Sequence, residues 1–447
     1  MATEVVVYTV VHQPRRIKLP AQPIPRGASV ADIERCLFDE EMNERYFRKV
    51  ATTCYYPATE RFLKLTRAGM KLAIGFSVSF LRQAQEWDPV LLARFQELVS
   101  EPNVELIGVE PYHSFVFLLD LPLFAQRMRA MADEMERIFG KRPRVTDTTE
   151  MCMSASIYDA LDQAGFHAAL MDGRPWVMGW REPTHLYHYG GSMRLFCRHL
   201  DLSDDVGYRF SNRTWSGFPL YADRYAEWLR EAWGDFVFIG WDFETFGEHH
   251  RLDSGIFDFL ARLPEELWRW GADFLLPSEA LDRFGAQAHH LPLPIFPTTW
   301  AGSGGMEFFL GNAAQQAIFQ LMIHTLSVAR LTGDDTLLDL ALWLAQSDNL
   351  HLIQWFGRSG PEAEVSAYFT PREWWGLGPN NIIVEQQRVY ENVLRAMEPH
   401  LPGRWMEPSV RRPTRRRTAP TNGHDGLVAP PGLAALRQEP LGIEVRY

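Results

Sequence analysis

Cysteine and basic residues are both scarce in this sequence, and each shortage excludes a class of protein. The four cysteines lie far apart and form no CxxC pair, so we predict neither a zinc knuckle nor a disulfide framework. Lysine and arginine number 45 against 56 aspartate and glutamate residues, which leaves a net charge of −11. Because binding to phosphates needs a basic face, we expect no nucleic acid partner.

Long apolar segments are also missing. No run approaches the roughly 20 residues that a membrane helix needs. The first residues, MATEVVVYTVVHQPRR, carry neither the basic region nor the small-residue cleavage site of a signal peptide. We therefore expect a soluble, cytoplasmic protein with no membrane partner. The chain is instead rich in hydrophobic (46%) and aromatic (13%) residues, enough for a large core and for a site that stacks on flat ligands.

Short apolar runs alternate with helical patterns through the first two thirds of the chain. The runs are almost continuously apolar, as in strands covered on both faces, and lie at 5–11, 71–76, 104–108, 167–171, 236–241 and 272–276. Between them, the segments 91–99, 123–140 and 222–234 have the periodicity of helices. This alternation predicts an α/β fold with a parallel sheet, either open or closed into a barrel.

The sequence predicts three parts in the chain. Residues 1–289 form the strand and helix domain, and a proline-rich joint from residue 290 leads into long helices at 309–332, 335–347 and 382–398. We expect these helices, within residues 290–406, to pack on the sheet domain. Residues 407–447 are polar, proline-rich and locally basic, which predicts a disordered tail.

Polar side chains follow directly after several of the predicted strands. They are His12, Glu110, His113, Glu150, Asp242 and Glu279. Because the carboxyl ends of parallel strands meet at one face, we expect these residues to converge there. Each alone has a structural alternative, such as a helix amino terminus for Glu150. Asp242 and Glu244 lie two apart, so in a continuing strand both carboxylates would face one side and repel unless a proton, a cation or a substrate relieves them.

Two chemistries are open to this set of residues. In the first, two carboxylates flank a glycosidic bond, one as nucleophile and one as acid/base, and burial raises the pKa of the acid. In the second, His12, His113, Asp242 and either His249 or His250 hold a divalent metal that activates water, as in metal-dependent deacetylases. Adjacent histidines on a strand point in opposite directions and no HxxxH pair occurs, so the metal cage is the weaker hypothesis.

Five short motifs occur in order over residues 12–279. They are HQP from residue 12, NVELIGVEPYHS from residue 103, a Thr-Glu pair ending at residue 150, WDFETFGEH from residue 241 and PSE from residue 277. In order and approximate spacing they resemble the motifs of glycoside hydrolase family 57, most closely its α-amylase-like branch. The resemblance continues through WAGSGGMEFFLGNAAQQAIF and AQSDNLH and covers most of the chain up to about residue 400.

The resemblance implies an incomplete (β/α) barrel of about seven parallel strands followed by a helical domain, with no cofactor and no metal. Matched residue by residue, Glu150 corresponds to the nucleophile and Asp242 to the general acid/base. The positions that match substrate-contacting or site-shaping residues are His12, Glu110, His113 and Glu279. Trp300, Asn312 and Asp348 match helical-domain positions near the site, and we include Trp300 and Asp348 among the substrate-binding candidates. We add Trp241 and Glu244, which lie beside Asp242 in sequence, as further substrate-binding candidates.

From these observations we predict a retaining hydrolase of α-1,4-linked glucans or maltodextrins that acts through a covalent glycosyl-enzyme intermediate. The surrounding positions depart from the amylase-like pattern, with Gly302 where an aspartate is usual and Asn349 where a histidine is usual. A 4-α-glucanotransferase or a glucan branching enzyme on the same scaffold therefore stays open. So do a metal-dependent carbohydrate deacetylase and a carbohydrate-binding protein without turnover.

Overall fold

β1 (Glu4–Val11) is the central strand of the first sheet in the computed structural model, which describes residues 4–402. It pairs in parallel with β2 (Leu72–Phe76) and with β8 (Val237–Asp242). β3 (Val104–Ile107) extends the sheet beyond β2, and β9 (Asp273–Phe274) pairs with the first residues of β1. β1, β2 and β8 are buried along almost their whole length, as their continuous apolar sequences predict.

The second sheet contains the remaining strands. β4 (Val145–Thr146), β5 (Ala168–Asp172) and β7 (Arg194–Arg198) pair in parallel. β6 (Leu186–His188) runs antiparallel to β7 and pairs with β10 (His289–His290). The sequence analysis did not predict β6, β7 or β10, because their apolar stretches are too short to stand out. In β7 only three apolar residues lie between the two arginines.

Two contacts join the sheets into a barrel. A single bridge between Gly108 and Thr146 connects β3 to β4. On the other side, the His199 N–H donates to the Phe238 carbonyl (2.8 Å), where the end of β7 meets β8 without a continuous ladder. The strands β1, β2, β3, β4, β5, β7 and β8 therefore follow one another around an incomplete barrel, and the predicted fold is confirmed.

One cluster of buried apolar side chains fills the interior of the barrel. Every strand of the circle except β2 contributes large residues to it, among them Tyr8, Ile107 and Phe238. The helix that follows β9 packs Ala280 and Phe284 against this cluster at the amino ends of the strands, and Trp300 packs against it as well. Since each fully buried side chain of this size contributes about 2 kcal/mol, this cluster is a large part of the stability of the barrel.

The helices surround the barrel and form the C-terminal part of the described chain. They are α1 (Val30–Leu37), α2 (Glu40–Val50), α3 (Tyr56–Arg67), α4 (Val78–Trp87), α5 (Pro89–Ser100), α6 (Val116–Leu119), α7 (Leu121–Phe139), α8 (Ala155–Ala164), α9 (Pro175–Met178), α10 (Leu200–Gly207), α11 (Ala222–Glu231), α12 (Ile256–Arg269), α13 (Pro277–Phe284), α14 (Glu307–Leu310), α15 (Ala313–Thr332), α16 (Asp335–Leu344), α17 (Asp348–His351), α18 (Pro361–Phe369), α19 (Arg372–Trp375) and α20 (Pro379–Met397).

Local sequence signals explain where the long helices start and stop. The Asp120 side chain caps the amino end of α7, and Gly140 ends that helix in the left-handed conformation (φ 70°), as its position in the sequence predicts. α15 begins with a capping box in which Asn312 and Gln315 satisfy each other's backbone N–H groups. Within residues 4–402, no helix combines the length and the apolar composition of a membrane span.

The predicted long C-terminal helices correspond to α15, α16 and α20, and α15 packs against the other two. α16 ends at Leu344, three residues before its predicted end, and the chain then turns toward the barrel. There the Arg15 N–H donates to Gln346 Oε1 (2.9 Å). Residues 4–402 form one compact unit, so the domain boundary at residue 290 stays a prediction. The predicted tail at 407–447 lies outside the described residues.

Candidate active site

The carboxyl ends of the barrel strands meet at one face, and most of the predicted site residues gather there. His12 follows β1, and Asp242 is the last residue of β8, paired in register with Val10 of β1. Ser77 directly follows β2, and its Oγ lies 2.8 Å from His12 Nδ1. The strands therefore bring residues from distant parts of the sequence into one site, as the sequence predicts.

Glu150 lies just after β4 on a single 3₁₀ turn, Thr149–Met151. It has a left-handed backbone (φ 58°), and so does Met151 (φ 50°), a conformation that non-glycine residues adopt only where their surroundings enforce it. Here the Thr299 hydroxyl (2.8 Å) and the Trp300 N–H (3.2 Å) both donate to the Glu150 carbonyl. The Trp300 indole N–H donates to Glu150 Oε2 (2.7 Å), which fixes the carboxylate as well.

The environment raises the pKa of both carboxyls of the predicted catalytic pair. Burial raises the pKa of Glu150 to about 8, and Asp242 adds to the rise, while the Trp300 N–H opposes it. Burial also raises the pKa of Asp242, with His249, Arg198 and His12 opposing. Because the charge of Asp242 changes the pKa of Glu150, the two groups are near enough for ionisation of one to favour protonation of the other.

His12, His113 and Asp348 form a compact cluster beside the pair. The two imidazole rings stack with their centroids 4.0 Å apart. His12 Nε2 lies 3.0 Å from Asp348 Oδ2, and His113 Nδ1 lies 3.0 Å from Ser347 Oγ and 4.0 Å from Glu150 Oε1. Burial and the neighbouring His12 lower the pKa of His113 far below its usual value, so this ring is neutral at physiological pH.

Among the described residues, these three form the group whose donor atoms lie close enough together to hold a metal ion. Their geometry fits a metal poorly, because the lone pairs of two stacked rings, only 18° from parallel, do not converge on one point. Both His12 ring nitrogens already lie within hydrogen-bonding distance of Ser77 or Asp348. The cluster instead presents a neutral histidine and a paired carboxylate, groups suited to binding sugar hydroxyls.

Glu244 reaches the site from a turn. The two carboxylates would face one side if the strand continued past Asp242, but the strand ends there and residues Phe243–Thr245 form a 3₁₀ turn. The Tyr55 hydroxyl donates to Glu244 Oε1 (2.9 Å). Burial and the charge of Asp242 raise the pKa of Glu244 well above its usual value. The predicted repulsion between these two carboxyls is thus present, and it favours the protonated form of Glu244.

Glu110 lies beneath the site. Its side chain has no exposed surface, and Oε2 accepts the backbone N–H groups of Tyr112 (3.1 Å) and Ser114 (2.5 Å). Burial raises the pKa of Glu110 to about 8, so it is mostly protonated at neutral pH. These contacts favour a structural role for Glu110, which binds backbone N–H groups and so shapes the loop that carries His113.

Two other predicted substrate-binding residues do not reach the site. Glu279 pairs with Lys71 (2.8 Å), which immediately precedes β2, so it lies at the amino ends of the strands, opposite Asp242. Trp241 is buried against α10, where its indole N–H donates to the Ser203 carbonyl (3.0 Å). These positions do not support the predicted substrate contacts. Glu279 was predicted at the site because its motif follows a strand, and Trp241 because it precedes Asp242. Side chains alternate along β8, however, so these two neighbours point in opposite directions.

Arg198 is a site residue that the sequence analysis missed. It ends β7, and its Nη1 pairs with buried Asp172 (3.0 Å) while its Nε donates to the Gly240 carbonyl (2.9 Å). Its guanidinium carbon lies 5.6 Å from the centre of the Trp300 ring. An arginine at the carboxyl end of a strand could have been predicted as a site residue, but β7 was not predicted as a strand.

Arg174 was missed as well and holds the segment that carries Trp300. Its side chain is buried, pairs with Asp172 (2.5 Å) and donates to the carbonyls of Thr299 (3.1 Å), Trp300 and Gly302 (3.0 Å). An arginine satisfies several carbonyls because its donors form a rigid planar fork. No feature of the sequence around residue 174 indicates this role, since the carbonyls that it binds lie more than 120 residues away.

Comparison with known proteins places these observations in a family. The model of glycosyl hydrolase family 57 matches residues 7–293. A protein of Methanocaldococcus jannaschii named "Putative alpha-amylase" is 31% identical over 372 residues, which cover 80% of this chain and 78% of that protein.

Solved structures share the fold at low sequence identity. A branching enzyme of this family from Thermococcus kodakaraensis gives a TM-score of 0.59 at 13% identity and covers 90% of this chain and 97% of that one. A 4-alpha-glucanotransferase from Thermococcus litoralis gives 0.62 at 14%, covering 89% and 60%. The alpha-amylase AmyC from Thermotoga maritima gives 0.51 at 12%, covering 89% and 98%.

Proposed function

This chain belongs to glycosyl hydrolase family 57, and from that premise we propose that it is a retaining enzyme that cleaves α-1,4 bonds of α-glucans by hydrolysis. The observation that carries the proposal is the Trp300 indole N–H bonded to the Glu150 carboxyl, whose pKa the charge of half-buried Asp242 raises further. Relatives named as an alpha-amylase, a branching enzyme and a glucanotransferase support an α-glucan as the substrate class.

The hydrogen bonds favour one assignment of roles within the pair. The Trp300 N–H stabilises the ionised form of Glu150, the form that a nucleophile needs. Asp242 is half-buried at the end of β8, and its pKa is also raised, toward the protonated form that a general acid needs. Because the pKa of Glu150, about 8, is raised as well, the two pKa shifts do not separate the roles. The Trp300 N–H and the match of residue 150 to the nucleophile position of the family motif support Glu150 as the nucleophile and Asp242 as the acid/base.

The proposed reaction has two steps. In the first, a Glu150 oxygen attacks the anomeric carbon, the glycosidic bond breaks, and the Asp242 proton moves to the departing oxygen. In the second, Asp242, now ionised, takes a proton from water, whose oxygen displaces Glu150 from the sugar. Neutral His113 and the His12–Asp348 pair lie where they can bind the hydroxyls of the reacting sugar.

Activity on maltodextrin tests this proposal. Glu150→Ala and Asp242→Ala should each lower kcat by orders of magnitude, with the fold preserved by circular dichroism, because each removes a reacting group. Activity that survives both substitutions contradicts the assignment. Glu279→Ala is the matched control, a carboxylate removed from the opposite end of the strands.

Product analysis separates hydrolysis from transfer to a sugar hydroxyl, since the covalent intermediate is common to both. We expect reducing ends to rise in step with substrate loss; redistribution of chain lengths without that rise would replace hydrolysis by glucanotransferase or branching activity. Full activity after exhaustive chelation is also expected, and a loss restored by zinc would favour the deacetylase alternative. The cytoplasmic location stays a prediction.

A further inference from the structure

A cleft between the end of α10 and the start of α18 has no part in the reaction proposed above. It has a volume of about 500 Å³ and is lined by Tyr208, Gln354, Arg358, Ser359, Pro361 and Glu362. This volume lies within the range of small-molecule binding sites. One wall belongs to the barrel part of the chain and the other to the helical part.

The helical wall borders the segment that carries Trp300. A Cβ on Gly302 would lie 3.1 Å from Glu362 Oε1, and Gly302 is two residues after Trp300, whose indole N–H donates to Glu150 Oε2. A glucan chain that passes Trp300 can therefore extend toward this cleft.

The groups that line the cleft suit a neutral, polyhydroxylated ring. Tyr208 is 60% exposed and offers a flat ring on which the apolar face of a pyranose can stack. Gln354 is 1% exposed, and its Nε2 lies 3.4 Å from Glu362 Oε2. Its Oε1 is buried and has no hydrogen-bond partner among the described residues, although buried acceptors are nearly always satisfied. A ligand hydroxyl would supply the missing donor.

The charges in the cleft argue against an ionic ligand. Arg358 and Glu362 both line it, so neither sign of charge dominates. Arg358 Nη2 already donates to the Glu307 carbonyl (3.0 Å), whereas Glu362 is exposed and can accept hydrogen bonds from two adjacent hydroxyls.

We propose that this cleft is a subsite for a glucosyl unit of the α-glucan chain. Tyr208 stacks on the sugar ring, and Gln354 and Glu362 bind its hydroxyls. The inference rests on the proposed function for its ligand class, but it concerns binding at residues that take no part in the chemistry.

Binding of maltoheptaose to the Glu150→Gln protein, measured by titration calorimetry, tests the subsite without turnover. Adding Tyr208→Ala should weaken binding about tenfold, the effect of exposing roughly 50 Å² of apolar surface. Adding Glu362→Gln should weaken it about threefold, since a charged acceptor is lost while the shape is kept. Both side chains are exposed, so neither change threatens the fold. Tyr208→Phe, which keeps the ring, and Tyr221→Ala, an exposed tyrosine outside the cleft lining, should stay within about twofold.

Each outcome decides separately on the subsite and on the proposed function. Unchanged affinity in Tyr208→Ala overturns the subsite, and the proposed function still stands if the wild type cleaves maltoheptaose. Affinity that falls in Tyr208→Ala while the wild type shows no turnover supports the subsite and contradicts the catalytic proposal. Maltoheptaose that neither binds nor reacts overturns both.

Discussion

Replacing Trp300 with phenylalanine tests how far the indole N–H favours the ionised form of the nucleophile, Glu150. The substitution removes the indole N–H that donates to Glu150 Oε2 at 2.7 Å, and a ring remains next to Arg198. A hydrogen bond to a charged group contributes about 1.5–3 kcal/mol, and one pKa unit corresponds to about 1.4 kcal/mol. Because the lost bond favours the carboxylate, the pKa of Glu150 must rise. We expect a rise of about one unit, the low end of this range, since the Glu150 side chain is 17% exposed.

The dependence of kcat/KM on pH measures this rise directly. The acidic limb of the profile, which reports ionisation of the nucleophile in the free enzyme, should move about one unit toward higher pH. Below that limb, kcat/KM should fall about tenfold relative to the wild type. Trp176→Phe, at an exposed tryptophan, is the matched control and should leave the profile unchanged. A limb that stays in place or moves toward lower pH would refute the reasoning, because it would mean that the indole does not stabilise the ionised form.

Three further substitutions test other parts of the account. Arg174→Lys keeps the charge beside Asp172 but loses the planar fork that binds the carbonyls of residues 299–302, so kcat should fall about tenfold. Arg194→Lys, at another arginine bonded to backbone carbonyls, is the control and should change kcat little. Equal losses of kcat in the two variants would argue against a role of Arg174 in positioning Trp300. Glu110→Gln removes an acid whose pKa is raised from 4.5 to about 8, so the wild type loses stability as pH rises through this range. Relative to wild type the variant should gain about 3.5 kcal/mol in urea unfolding between pH 5 and pH 8, and a constant difference would contradict the burial of Glu110 as an acid. Glu279→Gln breaks only the pair with Lys71 and should leave kcat/KM within about twofold, whereas a large loss would return Glu279 to the site.

The parts of the fold that could be predicted are those whose signal lies in a single segment. β1 and β8 are long, apolar on both faces and end in polar residues, so the parallel sheet and the positions of His12 and Asp242 followed from the sequence pattern, whereas the barrel was implied by the family resemblance. β4 has only two residues, and the nucleophile role of Glu150 could be predicted only because its motif resembles that of a known family. Its left-handed backbone depends on Thr299 and Trp300, about 150 residues away.

The errors have a common physical cause, since side-chain direction depends on packing that no short motif contains. Trp241 and Asp242 are neighbours, but alternation along β8 turns the indole outward into the helical layer while the carboxyl faces the site. Glu279 belongs to a motif that follows a strand, but that strand pairs with the beginning of β1, so the motif lies at the far end of the barrel. Arg174 binds carbonyls more than 120 residues away and carries no local signature, whereas Arg198 was missed because the strand that it ends, β7, was not predicted.

Trapping the covalent intermediate tests the central claim most directly. In Asp242→Ala, a 5-fluoroglucosyl fluoride of α configuration can still react with the nucleophile, because fluoride leaves without a proton, while release of the sugar lacks its general base. Mass spectrometry of the digested protein should then find one fluoroglucosyl group, attached to Glu150. A label on another residue, or an unlabelled protein whose wild type releases sugars of inverted configuration from maltodextrin, would contradict Glu150 as the nucleophile of a retaining enzyme.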